Sequence, residues 1–335
     1  MTWTYQAPWW LPEGHTQTIY SSLWAQPQAT SGVPWHRERW ATPDDDFIDV
    51  DELHSPRASS DSAQDSSSTT SSSVLCVLFH GLEGSSKSHY ARAWAQEARS
   101  RRWRLAVPHF RGCSGEINRA PRAYHSGDFE EIGWILSRMR QRHRGPLLAV
   151  GVSLGGNALM RWAQEMGRSA AQVANAVVSV CSPLDLTASG HAIGRGFNRL
   201  VYTRMFLRSM KPRALAKLAQ HPGLFDAEAV LHARDLYAFD NVFTAPLHGF
   251  KDTDDYWQKA SSAPHFQQVE IPTLLINALN DPFVPAHSLP TQSDVSSWVS
   301  LWRPRQGGHV GFTEGPFPGH VRGLPSAIAS WFEAL

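Results

Sequence analysis

From Val74 to Val180 the chain alternates short, uninterrupted apolar runs with segments of helical pattern, a rhythm that few folds accommodate. The runs are Val74–Phe79, Leu105–Val107, Leu147–Val152 and Ala176–Val180, and the helical segments lie near Tyr90–Arg101, Asp128–Arg142 and Leu154–Glu165. A strand that is apolar at every position is buried on both faces, as in a parallel sheet covered by helices. The pattern predicts a doubly wound, mostly parallel α/β core. In the second helix Asp128, Glu130 and Glu131 stand at the start and Arg138, Arg140 and Arg142 near the end, where the helix dipole favours them.

The flanking segments read differently. Phe47–Asp51 predicts a further strand. Residues 183–265 replace the alternation with basic, Pro- and Phe-containing helical stretches such as Asn198–Met210 and Pro212–Gln220, after which Pro272–Asn277 and Trp298–Trp302 resume it. The expected organisation is a core in two parts, 1–182 and 266–335, with a helical cap, 183–265, inserted after the sixth strand. Six tryptophans within residues 1–40 follow no period and predict a wrap that packs over the core. Residues 55–73, dominated by Ser, Asp and Thr, cannot bury a core and predict a flexible hairpin loop between two strands.

Charge and cysteine content exclude several classes. Lys and Arg number 31 against 30 Asp and Glu, so the net charge of +1 gives no global field to steer nucleic acid or an anionic membrane. The three cysteines, Cys76, Cys113 and Cys181, are widely spaced and suggest neither a disulfide framework nor a zinc site. No Lys or Arg precedes Arg37, and no apolar run reaches the ~18 residues of a membrane span, so neither a signal peptide nor an integral membrane segment is expected. The expectation is a cytoplasmic protein. Neither a His-Glu-x-x-His pair nor a calcium loop occurs, and no cofactor or metal is expected.

The chemistry centres on Gly151-Val152-Ser153-Leu154-Gly155, placed where the Leu147–Val152 run gives way to a helix. A serine hydroxyl is a weak nucleophile unless it is exposed, uncrowded and next to a base. A Gly-x-Ser-x-Gly turn between a buried strand and a helix meets the first two needs. An oxyanion site requires amides after the nucleophile and after an earlier strand, which assigns the N–H groups of Leu154 and of Leu82 in Phe79-His80-Gly81-Leu82-Glu83-Gly84. His80 itself is read as orienting that loop. His309, in Gly307-Gly308-His309 after the last predicted strand, is the expected base, with His320 the alternative. Asp281, in Asn280-Asp281-Pro282, is the expected acid and gives the order Ser, Asp, His, with Asp185 the rival.

Several blocks carry a family resemblance: Pro12-Glu-Gly-His-Thr-Gln-Thr18, His80-Gly-Leu-Glu-Gly-Ser-Ser86 and Phe110-Arg-Gly-Cys-Ser-Gly-Glu-Ile-Asn-Arg119. Others are Tyr124-His-Ser-Gly127, Gly151-Val-Ser-Leu-Gly-Gly-Asn157, Asn280-Asp-Pro-Phe-Val-Pro285 and Gly307-Gly-His-Val-Gly-Phe312. Spanning nearly the whole chain, they resemble the YheT-like hydrolases, a branch of the α/β hydrolases that includes the embryogenesis-associated EMB8-like proteins. The resemblance implies the α/β-hydrolase fold and carboxylesterase-type activity, and some relatives act on medium-chain lipid esters. It also implies Ser153, Asp281 and His309 as a catalytic triad. Eukaryotic members often carry an N-terminal membrane anchor, which is not expected here.

The expected function is hydrolysis of a small-molecule or lipid-like carboxylic ester through an acyl-enzyme, with no nucleic-acid partner. An acyltransferase with the same nucleophile and a noncatalytic ligand-binding module on the same fold are the alternatives. Arg111, Cys113 and Ser114 are read as a loop bracing the site rather than as a reactive thiol. Phe197, Met205, Phe206, Leu207, Phe225 and Phe239 either line an acyl pocket or form the cap's own core, and their spacing does not separate the two.

Overall fold

The computed structural model describes residues 3–24, 33–53 and 73–335. Eight strands form one sheet: β1 (His36–Ala41), β2 (Phe47–Leu53), β3 (Leu75–Phe79), β4 (Arg104–Pro108), β5 (Leu147–Val152), β6 (Ala176–Val180), β7 (Thr273–Ile276) and β8 (Val299–Trp302). Their spatial order is β1-β2-β4-β3-β5-β6-β7-β8, antiparallel at the β1-β2 and β2-β4 contacts and parallel from there on. This is the doubly wound, mostly parallel α/β sheet that the apolar alternation predicts.

Burial alternates along β3: Leu75, Val77 and Phe79 enter one apolar cluster, Cys76 and Leu78 the other. Helices α1 (Gly14–Leu23), α2 (His89–Arg101), α3 (Phe129–Arg142) and α4 (Leu154–Met166) lie in the first part of the chain. Ile132, Ile135 and Leu136 of α3 and Leu159 and Trp162 of α4 close the first cluster. Trp94 and Ala98 of α2, with Ile328 and Phe332 of the C-terminal helix Gly323–Glu333, close the second. Both faces of the central strands are therefore dry, and no residue on them needs to be polar.

Three features of the first part depart from the sequence reading. Within the expected wrap the chain forms α1 and β1. Strand β1 carries Arg37 and Arg39 opposite Asp51 and Asp49 of β2, paired at 2.7 and 2.8 Å, so its charge hides the strand signal. The expected hairpin across 55–73 is corrected: β4 lies between β2 and β3 in the sheet. The loop itself falls, apart from Ser73, outside the described residues.

Between β6 and β7 the chain is helical: α5 (Leu186–Ile193), α6 (Gly196–Asn198), α7 (Arg204–Gln220), α8 (Ala227–His232), α9 (Leu236–Phe239), α10 (Ala245–Leu247) and α11 (Thr253–Ala260). A π-helical turn, Arg199–Thr203, joins α6 to α7. Pro212 lies inside helix α7. Helix α7 runs through it, because the proline sits on the exposed side while Leu207, Ala214 and Lys217 anchor both halves inward. These helices have a cluster of their own, with Leu207, Ala214, Val230, Phe239 and Phe243. No helix among the described residues is long and apolar enough to cross a membrane.

Candidate active site

Ser153 occupies a backbone conformation that non-glycine residues rarely adopt, φ 53° and ψ −121°, immediately after β5. Its N–H donates to Val180 O of β6 at 2.8 Å, which holds the turn on the end of the sheet. The turn is possible because its neighbours lack side chains. A Cβ on Gly151 would stand 2.5 Å from Gly155 O, one on Gly155 2.5 Å from His80 O, and one on Gly156 1.9 Å from Ser182 Oγ. Helix α4 is thereby drawn against the loop that follows β3.

That loop is fixed from three sides. His80, fully buried, accepts from the Phe110 N–H on Nε2 at 3.1 Å, so Nδ1 carries the proton and donates to Gly81 O at 2.8 Å. The Gly81 N–H donates to Tyr90 Oη at 2.9 Å and the Glu83 N–H to Tyr124 Oη at 3.1 Å. Between them, the Leu82 N–H has no protein acceptor among the described residues, and neither has that of Leu154. Leu82, Leu154 and Ser153 all border the same cavity. His80 thus orients the loop, and a base role is absent from its contacts.

Opposite the serine, His309 Nε2 lies 3.0 Å from Ser153 Oγ and its Nδ1 2.9 Å from Asp281 Oδ2. The Asp281 carboxylate, whose side chain is fully buried, also accepts from the N–H groups of Phe283 at 2.8 Å and Val284 at 3.3 Å. A carboxylate can only accept, so Nδ1 is the protonated nitrogen and Nε2 is free to accept from the serine hydroxyl. The Phe283 ring packs on the imidazole at a centroid distance of 4.2 Å. The two rivals lie elsewhere in the contact network. Asp185 caps α5 through the Ala188 N–H at 2.9 Å, and His320 pairs its backbone with Glu314.

The sequence reading assigned no role to α1, which holds both loops behind this chain of hydrogen bonds. Gln17, fully buried, accepts on Oε1 from Asn280 Nδ2 at 2.9 Å and from the Gly307 N–H at 2.8 Å, while its Nε2 donates to Leu11 O. Thr18 Oγ1 accepts from the His309 N–H at 2.8 Å, and Asn280 Oδ1 from the Gly308 N–H at 3.0 Å. The available signal was a helix face of Gln17, Thr18 and Ser21 that is polar yet buried.

The loop of Arg111, Cys113 and Ser114 is held by hydrogen bonds and also borders the cavity over Ser153, at Arg111 and Gly112. Buried Arg111 donates to Asp44, Asp46 and Glu131, and burial pushes the Cys113 thiol up to about 12, with Arg213 Nη1 against its sulfur at 3.3 Å. The cavity over Ser153, about 170 Å³, is lined by Phe206 and Phe239. Leu207 and Phe225 pack among the helices between β6 and β7, whereas Phe197 and Met205 are exposed. Among the described residues no group of His, Cys, Asp and Glu is arranged to hold a metal.

A family model described as the alpha/beta hydrolase fold matches residues 75–316. The chain belongs to the α/β-hydrolase fold family. Within that family it falls with the YheT-like proteins: it is 36% identical to "Putative esterase YheT" of Escherichia coli (strain K12), over 95% of this chain and 89% of that protein. It is 28% identical to human "Phospholipase ABHD3", covering 100% of this chain and 80% of the relative. Among solved structures, a thermophilic esterase from Thermogutta terrifontis aligns with TM-score 0.51 at 14% identity, over 89% of this chain and 98% of that one. Mouse alpha/beta hydrolase domain-containing protein 10 aligns with TM-score 0.53 at 13% identity, over 89% and 99% of the two chains. These structural likenesses bear on the fold.

Two predictions follow from the bracing contacts. Burial pushes the His80 pKa down to about 3 from its ordinary 6.5. Below pH 6.5 the unfolded chain takes up a proton at His80 that the folded chain refuses, so this contribution is intact above 6.5 and is lost as pH falls. Between pH 7 and 5 the loss is about 2 kcal/mol. The His80 Cε1–H resonance should keep its neutral-imidazole shift down to pH 5 in NMR, and titration near 6.5 would contradict the assignment. Gln17→Ala strands the buried Gly307 N–H and should lower stability by about 1–3 kcal/mol in urea unfolding, an unchanged midpoint being the contrary result.

Proposed function

We propose that the protein hydrolyses carboxylic esters through an acyl-enzyme on Ser153. The observation that carries this reading is the chain of hydrogen bonds from Asp281 through His309 to Ser153 Oγ, 2.9 and 3.0 Å long. His309 Nε2 takes the hydroxyl proton as Oγ bonds to the ester carbonyl carbon, and Asp281 stabilises the imidazolium that forms. The N–H groups of Leu82 and Leu154 donate to the carbonyl oxygen as it becomes an oxyanion. The bond to the alcohol then breaks, and His309 returns the proton to the leaving oxygen. In the second half His309 deprotonates a water that attacks the acyl carbon, releasing the acid and restoring the serine.

The helical insertion, 183–265, serves as the cap over this site, and its Phe206 and Phe239 at the cavity support an apolar acyl group. The names of the relatives point the same way: human "Phospholipase ABHD3" and the "Monoacylglycerol lipase" of Saccharomyces cerevisiae, 26% identical over 71% of this chain, are lipid-ester hydrolases by name. Ser153→Ala should reduce p-nitrophenyl ester turnover by about 10⁴- to 10⁶-fold, because the three residues act as a unit. A purified, folded variant with normal turnover would refute the proposal.

A further inference from the structure

The near-zero net charge of the chain conceals a strong local asymmetry. No Asp or Glu occurs between Asp185 and Asp226, an interval that contains Arg195, Arg199, Arg204, Arg208, Lys211, Arg213 and Lys217. The last two are engaged inward, Arg213 with Glu83 and Lys217 with the carbonyls of Asn118 and Ala120. Arg195, Arg199, Arg204 and Arg208 are all exposed, and among the described residues none is paired with a carboxylate. The apolar side chains interleaved with them face the same way: Phe197 is 49% exposed, Leu200 56%, Val201 36% and Met205 55%.

Helical geometry explains the shared face. Tyr202, Thr203, Leu207, Ala214 and Lys217 are buried, and positions 197, 200, 201, 204, 205 and 208 lie on the opposite side. The stretch is pinned rather than loose. Asn198 Nδ2 donates to Ala192 O and Pro282 O, and Tyr202 packs against Phe283 at 4.6 Å. A pinned surface of large apolar side chains ringed by arginines that have no carboxylate partner among the described residues is poorly suited to water. It has the composition of a helix that lies in the headgroup region of a bilayer, with the guanidinium groups at the phosphates and the apolar residues below them.

We propose that the outer face of residues 195–208 docks the protein on an anionic lipid bilayer. The charge complementarity selects the anionic surface. The aliphatic side chains select lipid over a nucleic-acid backbone, which offers them no apolar contact. The same stretch and helix α7 that present this face outward carry Phe206 and Met210 to the cavity over Ser153. A docked protein would hold that cavity close to the lipid phase.

Sedimentation with vesicles tests the proposal independently of any turnover. The full chain should pellet with equimolar phosphatidylglycerol/phosphatidylcholine vesicles and stay in solution with phosphatidylcholine alone. The paired variants Arg204→Glu with Arg208→Glu, and Leu200→Ser with Met205→Ser, should each weaken vesicle binding about tenfold or more. Both pairs lie outside the cavity and should keep the unfolding midpoint and p-nitrophenyl ester turnover of the parent. Turnover serves here only as a control, so a failed hydrolase reading leaves the vesicle result standing. A parent protein that ignores anionic vesicles overturns the proposal. So does an aliphatic double variant that binds as the parent does while heparin competes fully, since the face would then serve a soluble polyanion.

Discussion

The conformation of Ser153 constrains everything around it. A serine held at φ 53° is tolerated only where its surroundings leave no alternative, and here they are a strand end, a helix start and a neighbouring loop brought into backbone contact. Gly151, Gly155 and Gly156 are the positions at which a single added carbon would force these segments apart. The sheet supplies the counterforce: β5 is flanked on both sides by parallel strands, so the turn cannot relax by moving the strand. The result is a hydroxyl set at the cavity rather than among the helix's own side chains.

A second layer of fixed polar groups surrounds that hydroxyl. On one side, neutral His80 and the hydroxyls of Tyr90 and Tyr124 orient the loop bearing the Leu82 amide. On the other, Gln17 and Asn280 tie together the loops that carry Asp281 and His309. His80 and Gln17 are fully buried, the other groups partly so, and all are hydrogen-bonded, so displacing one strands a partner at a cost comparable to a sizeable part of a domain's net stability. The site's geometry and the stability of the fold are therefore enforced by many of the same contacts.

The parallel core was legible because its strands are apolar on both faces, which only one kind of sheet requires. Ser153, His309 and Asp281 were legible because each follows a readable strand, and the structure brings the three within hydrogen-bonding reach. What escaped did so for identifiable reasons. Strand β1 pairs arginines with aspartates along its length, and α1 buries glutamine, threonine and serine instead of an apolar stripe. The placement of β4 between β2 and β3 depends on contacts between distant segments, to which local patterning is blind. The exposed basic and apolar face of residues 195–208 was averaged away in a net charge of +1.

Covalent acylation of Ser153 can be followed by intact-protein mass spectrometry after rapid quenching of an ester reaction. The expected result is a mass increase equal to the acyl group less one hydrogen, one per chain, mapping to the peptide that contains Ser153 and decaying as the acid is released. An adduct on another residue, or steady ester turnover without an adduct while a fluorophosphonate leaves Ser153 unmodified, would contradict it.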